Sequence, residues 1–351
     1  MSSEATSRAW LKSPALRFLI LALALAALFC LCLCTGAVPI GVGDVVAVLL
    51  GKGSEIARNI VLEARLPMTL TSCCCGMALS VAGLLLQTTF RNPLAGPSIL
   101  GVSTGASLGV AIVMMGAGRW LSSIFGVAAG SRIAIISGAA LGAGGVIMIL
   151  LAFSQSVKSA TMLLIVGIMI GYLASAFVSL LNFFAPAQIV KDFSIWGMGS
   201  FMGVTGSDLP LFCTLSLIVS VSTLTLIKPL NAMLLGDRYA SSLGYNPKSV
   251  RTLLLLCSGA LTAIATAFCG PVGFIGLAVP HMARIFFSTS HHAVLLPATI
   301  VMGGAVGLLC AWMCVCPSSI GVLPLGAVTP VIGVPVIIYV IVARKRLNYF
   351  N

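Results

Sequence analysis

The residues able to do chemistry are few. Seven carboxylates, three histidines and twelve cysteines are spread through 351 residues. His281, His291 and His292 lie close together, but no HExxH pattern surrounds them and no carboxylate stands near in sequence. A zinc hydrolase or a general acid–base pair is therefore not indicated. Cys30, Cys32 and Cys34 fall in one apolar run and Cys73, Cys74 and Cys75 in another, while Cys213, Cys257, Cys269 and Cys310 are likewise flanked by apolar residues. No CxxC pair occurs, so these cysteines read as small apolar packing residues. Cys314 and Cys316 are the one pair to consider for a disulfide, and residues two apart bridge poorly. The stretch "GKGS" at Gly51 lacks the GxxxxGK[ST] spacing of a phosphate loop. No catalytic and no metal-binding residues emerge, and ATP is not hydrolysed by a phosphate loop of this chain.

The most unusual backbone is Arg91–Gly109, "RNPLAGPSILGVSTGASLG", with two prolines, four glycines and a charge between two long apolar runs. The elements around it follow from composition. The chain is 59% hydrophobic and 7% charged, with a mean hydropathy of +1.15. Soluble domains carry about 25% charged residues, so lipid is the solvent that fits. A spanning helix needs about 20 apolar residues. Such runs lie near 16–36, 67–90, 97–116, 133–153, 161–184, 209–228, 251–269, 271–287, 293–313 and 323–343. They do not alternate as barrel strands would, so the fold class is all-α and polytopic, with about ten transmembrane helices in one domain over residues 1–351. The basic N-terminus followed by an apolar run reads as a retained first span rather than a signal peptide.

Orientation follows from Lys and Arg. With the N-terminus inside, thirteen of the nineteen basic residues fall inside, among them Arg8, Lys12, Arg17, Arg91, Lys158, Arg284 and Arg344–Arg346. Lys52, Arg58, Arg65, Arg119, Arg132 and Lys191 fall outside with five of the seven acids. Both termini are then cytoplasmic, and the excess positive charge is a topology signal. No basic stripe with interleaved aromatics suggests nucleic acid.

Small residues recur at helical spacing: Gly101, Gly105 and Gly109; Gly167, Gly171, Ser175 and Ser179; Gly303 and Gly307. Such faces let helices approach closely in lipid. "GMALSVAGLLLQ" from Gly76 weakly resembles "GALTAIATAFCG" from Gly259, and each precedes a Pro/Gly-rich break, which suggests a weak internal repeat. The inside segment Lys228–Arg251, with 229–250 as its cytoplasmic part, is too charged to cross. Its centre, Leu234–Leu243, predicts one short amphipathic helix ended by Gly244. Span centres lack the acids and histidines of ion-coupled carriers, which disfavours the alternative, an ion-coupled secondary transporter of a small solute.

Five stretches in order resemble one family: "RLPMTLTSCCCGMALSVAGLLLQTTFRNPLAGPSILGVSTGASLG" (Arg65–Gly109), "WGMGSF" (Trp196–Phe201), "LGDRYASSLGYN" (Leu235–Asn246), "GPVGFIGLAVPHMAR" (Gly270–Arg284) and "LPLGAVTPVIGVPVIIYVI" (Leu323–Ile341). This is similar to the FecCD permeases of binding-protein-dependent ABC importers for iron–siderophores, haem and cobalamin. The resemblance implies the type II importer fold and a homodimer in the bacterial cytoplasmic (inner) membrane, with a pathway between the two copies. It also implies two ABC ATPase subunits, which bind the ATP and Mg, and a periplasmic or lipid-anchored substrate-binding protein. This chain then binds no cofactor. An iron–siderophore is the first expectation for the cargo.

The resemblance further assigns Asn92, Pro93 and Leu94 to a cytoplasmic gate, with Ser159, Ala160 and Thr161 as a second constriction. Asp237, Tyr239, Leu243 and Gly244 fall in the core of the ATPase-coupling segment. The chain departs from the family where relatives carry a second Arg in "RLPR" (here Met68), an outer Asp and Arg (Ala311 and Val315) and "ELP" (Val322). Docking of the binding protein is then expected to use Arg65, with Arg58 and Lys52, or a more apolar surface, or to involve a divergent partner.

Overall fold

The computed structural model describes residues 13–36, 38, 40–116, 131–157, 159–316 and 321–343. Glu4, Arg8, Lys12, Arg119, Lys158 and Arg344–Arg346, which enter the orientation count, lie outside these residues, as do the chain termini.

The described chain opens with α1 (Pro14–Cys34) and a short α2 (Val42–Leu49). A continuous helix of 36 residues comes next, Glu55–Phe90. In it α3 (Glu55–Asn59) and α4 (Leu66–Phe90) are joined by π-helical turns over Ile60–Arg65. Then come α5 (Val102–Ala111), prolonged by π turns to Gly116, α6 (Arg132–Ser156), α7 (Ala160–Phe184) and α8 (Ala187–Gly197). The following helix runs as α9 (Leu209–Ser222), a 3-10 stretch (Thr223–Leu226) and α10 (Ile227–Leu235). The chain continues through α11 (Asp237–Ser242), α12 (Pro247–Cys269), α13 (Ile275–Phe287), α14 (His292–Val315) and α15 (Leu325–Ala343). No strand occurs among the described residues.

Eight of these helices are long and apolar enough to cross a membrane, and two shorter ones, Val102–Gly116 and Ile275–Phe287, complete the predicted ten. The short pair start late because the chain before each is non-helical. α4 stops at Arg91, which is left-handed (φ 45), and Pro93 and Pro97 prevent a restart before Gly101. α12 stops at Gly270, and α13 begins only after Phe274 (φ 63). Both breaks thus take membrane depth that helix would otherwise fill.

α4 is the central post. It is buried almost throughout and packs against α14, α12, α13 and α9. Several of its hydroxyls are satisfied within the helix: Thr69 donates to Arg65 O at 2.7 Å, Ser80 to Gly76 O at 2.6 Å and Thr89 to Leu85 O at 2.7 Å. This is how hydroxyls are tolerated where no water can pair them. Close helix contacts run through small residues. A Cβ on Gly83 would meet the carbonyl of Gly276, and one on Gly76 the carbonyl of Gly303.

The structure revises two local expectations. The glycine series is not one face. Gly101 precedes α5 and lies against Gly167 and Gly171 of α7, while Gly105 and Gly109 lie against Gly142 and Gly138 of α6. Ser175 and Ser179, the continuation of the α7 series, are exposed. The expected helix Leu234–Leu243 is two helices, because the preceding span continues to Leu235 and the chain then turns at Gly236 in a backbone (φ 117, ψ 156) that only glycine adopts readily. Cys314 and Cys316 are both free, the first buried and the second exposed, and so are the other ten cysteines.

Candidate functional site

At the end of the bundle expected to face the cytoplasm, the loop Arg91–Gly101 starts beside a cluster of polar side chains drawn from α4, α10, α13 and α14. Gln87 and Arg91 sit one turn apart at the end of α4, and His281 and Arg284 one turn apart on α13. Gln87 is fully buried, donates Nε2 to Leu277 O at 3.1 Å and accepts Arg284 Nη1 on Oε1 at 2.7 Å. His281 Nε2 is 2.7 Å from Pro93 O. On the neighbouring turn Thr88 Oγ1 and His292 Nε2 are 2.9 Å apart, and Asn231 Oδ1 of α10 accepts His292 N at 2.9 Å. Charge-assisted bonds in so dry a setting are among the stronger a protein makes. The His281 bond meets a carbonyl of the irregular loop where Pro93 is buried.

The segment 229–250, expected to couple to an ATPase, is a packed unit. Ala232, Met233 and Ala240 form a small core with Tyr245 and Val250 against it. Gly244 (φ 86) ends α11, and Tyr245 N returns to Ala240 O at 3.0 Å. Tyr239 and Leu243 are 51% and 54% exposed, and Leu235 beside them is 65% exposed, so an apolar patch points away from the bundle. Asp237 does not join that patch. It turns back and accepts from Arg91 at 2.8 Å and from Arg251 at 3.0 Å.

The two predicted gate segments are differently placed. Pro93 is buried under His281, whereas Leu94 is 39% exposed, with its N–H held by Asn92 Oδ1 at 2.9 Å. Ser159 is the N-cap of α7, accepting Met162 N, and Thr161 is exposed beside it. Beyond this cap one face of α7 is open: Met162, Ile165, Met169, Tyr172 and Phe177 are each about half exposed or more.

The other end of the bundle holds a second knot, made of backbone. Three of the family-like stretches converge there. Ser200 N donates to Cys269 O at 2.8 Å, Gly326 N to Met198 O at 2.8 Å, and Gly270 lies against Trp196 O. Nearby, Met68, Ala311, Val315 and Val322 line one small cavity with Phe201 and Cys314. The four departures from the family pattern are thus neighbours, and apolar contact replaces charge at all of them together.

Of the residues expected to dock a partner, Lys52 and Arg58 are exposed, but Arg65 is only 5% exposed. Its guanidinium donates to Leu33 O and Cys34 O at 2.8 Å each, and to Val38 O. It closes the C-terminus of α1, where the last carbonyls lack helical partners, and is spent on that structural role. In the same part of the chain Val42, Val46, Leu50 and Ile56 are exposed as well.

Gln87, Arg91, Arg251, His281, Arg284 and His292 were not marked as site residues by the sequence. Their partners lie far off along the chain, at separations from 14 to 204 residues. The usable signal was the pairing of polar residues three or four apart in otherwise apolar helices, Gln87 with Arg91 and His281 with Arg284.

Comparison with known proteins agrees with this architecture. The model of the FecCD transport family matches residues 24–343. The vitamin B12 import system permease proteins BtuC of Salmonella paratyphi A (strain ATCC 9150 / SARB42) and Salmonella newport (strain SL254) are each 33% identical over 287 residues, which is 82% of this chain and 84% of theirs. A metal-chelate type ABC transporter solved in an inward-facing conformation superposes with a TM-score of 0.81 at 28% identity, over 95% of this chain and all of that one. PsaBC from Streptococcus pneumoniae shares the fold more distantly, with a TM-score of 0.51 at 14% identity over 84% of this chain and 94% of that one. This protein belongs to the FecCD transport family and is the multi-pass permease subunit of an ABC importer, not itself an enzyme.

Proposed function

We propose that two copies of this chain enclose a pathway for a bulky metal chelate. A binding protein delivers the chelate outside, and two ATPase subunits with bound ATP and Mg drive its passage into the cytoplasm. The ATPases seat against the Leu235, Tyr239 and Leu243 patch, and both termini lie on that side. The observation that carries the reading is the inner knot: the coupling segment and the loop Asn92–Leu94 share Arg91, so a push on one reaches the other. The open apolar face of α7 and the exposed Val331, Ile338 and Tyr339 of α15 supply surface for the second copy. The Salmonella relatives are vitamin B12 permeases, which makes a corrinoid the first cargo to test, with iron–siderophore next.

The test is uptake into proteoliposomes carrying the permease and its ATPase, with the binding protein and ATP supplied. Cobalt-labelled cyanocobalamin is compared with iron-labelled ferrichrome. ATP-dependent accumulation of one of them is expected, and accumulation of neither sinks the chelate reading.

A further inference from the structure

Asp237 stands where three elements meet. It begins α11, and its two oxygens hold Arg91 at the end of α4 and Arg251 in α12. Arg91 also donates Nε to Met233 O of α10 at 3.1 Å. Its guanidinium therefore straddles Gly236, with one bond to the helix before that turn and one to the helix after it. A Cβ on Gly236 would itself lie 3.5 Å from the Arg91 guanidinium. A clamp across a turn fixes the angle between the two helices it joins, and this clamp is the residue immediately before Asn92.

The three groups differ in burial. Arg91 and Asp237 side chains are 40% and 48% exposed, whereas Arg251 is 5% exposed. Half-exposed ion pairs add little stability, so the Arg91 contact is cheap to break and remake. The buried Arg251 keeps Asp237 registered on α12 while that happens.

We propose that Arg91 is a positioning residue that sets the α10–α11 angle against the end of α4, and that the Arg91–Asp237–Arg251 triad is the joint that carries motion of α11 to Asn92–Leu94. This rests on the ATPase-driven reading above. The experiment uses the reconstituted complex with Leu94→Cys as reporter, in a background where the exposed Cys30 and Cys316 are serine. Labelling of the Leu94→Cys thiol by a water-soluble maleimide is followed with and without a non-hydrolysable ATP analogue.

With the joint intact, nucleotide changes the labelling rate by about tenfold. Arg91→Gly keeps the left-handed backbone but removes both arms. It should abolish the nucleotide response, while the melting temperature of the permease in detergent moves by less than about 4 °C. Arg91→Lys should restore part of the response, because the charge returns. Asp237→Asn is the second variant if Arg91→Gly fails to fold, and combining it with Arg91→Gly should add nothing. A nucleotide response that survives either substitution, or that is absent from the unmutated joint, overturns the proposal. Failure to import either chelate while the response behaves as described would remove the cargo reading and leave the joint standing.

Discussion

The two breaks in the bundle are held by different means. The loop Arg91–Gly101 is held at its start by side chains: His281 bonds Pro93 O and the Arg91 guanidinium reaches Met233 O and Asp237, beside the buried Gln87–Arg284 pair. The turn Gly270–Phe274 is pinned by main chain, through Ser200 N to Cys269 O and the packing of Gly199 and Gly270 face to face. The first is eleven residues long and reaches toward the coupling segment. The second is five residues long and lies against α15, where Phe274 packs on Gly333. Side-chain anchoring suits a gate, and backbone anchoring suits a pivot.

That contrast can be broken at either end. The largest effect is expected at the backbone knot. Gly270 has φ +74, and a Cβ there would sit 2.6 Å from Trp196 O. Gly270→Val should cost about 3 kcal/mol or more, seen as loss of monodisperse protein in detergent. A folded Gly270→Val variant would show that the turn is as adaptable as the loop.

At the side-chain knot the damage should be smaller and more selective. Gln87→Leu keeps the bulk but deprives Arg284 of its amide partner, at about 2–3 kcal/mol. Protein should still be recovered, with a melting temperature lower by several degrees and a disproportionate fall in uptake per ATP hydrolysed. Equal losses in both activities would make the knot merely structural.

The smallest effect is expected outside both knots, where docking of the binding protein is proposed. Exposed charge there is mixed, Asp44, Glu55 and Glu63 with Lys52 and Arg58, and Val42, Val46, Leu50 and Ile56 lie between. Affinity measured between about 0.05 and 0.5 M salt should change by about threefold or less. A steep loss with salt would return docking to the basic residues.

The sequence was most legible where the bilayer dictates it. Span number and the positions of both breaks follow from hydropathy and from Pro93, Pro97 and Gly270, since neither helix nor lipid tolerates such residues casually. The helical split at Gly236 was obscured because Leu234 and Leu235 extend the same amphipathic pattern that Tyr239 and Leu243 carry on. Arg65 was expected to dock a partner because the family resemblance implied it, whereas here it serves carbonyls more than twenty residues away. The polar knot was illegible for a general reason: hydrogen bonds between distant spans leave no local periodicity, so His281 and Gln87 looked isolated until the fold placed them.

The uninterrupted helix Glu55–Phe90 has one more consequence. At 36 residues it measures about 54 Å, while the hydrocarbon layer is about 30 Å and the whole bilayer about 40–45 Å. At an ordinary inclination of about 20° it still outreaches the headgroups, so its first turns rise above the lipid as a ridge. An incoming carrier protein would meet that ridge before the pore mouth. In the orientation proposed above, the length of this rod sets how far from the lipid a docked binding protein would release its cargo.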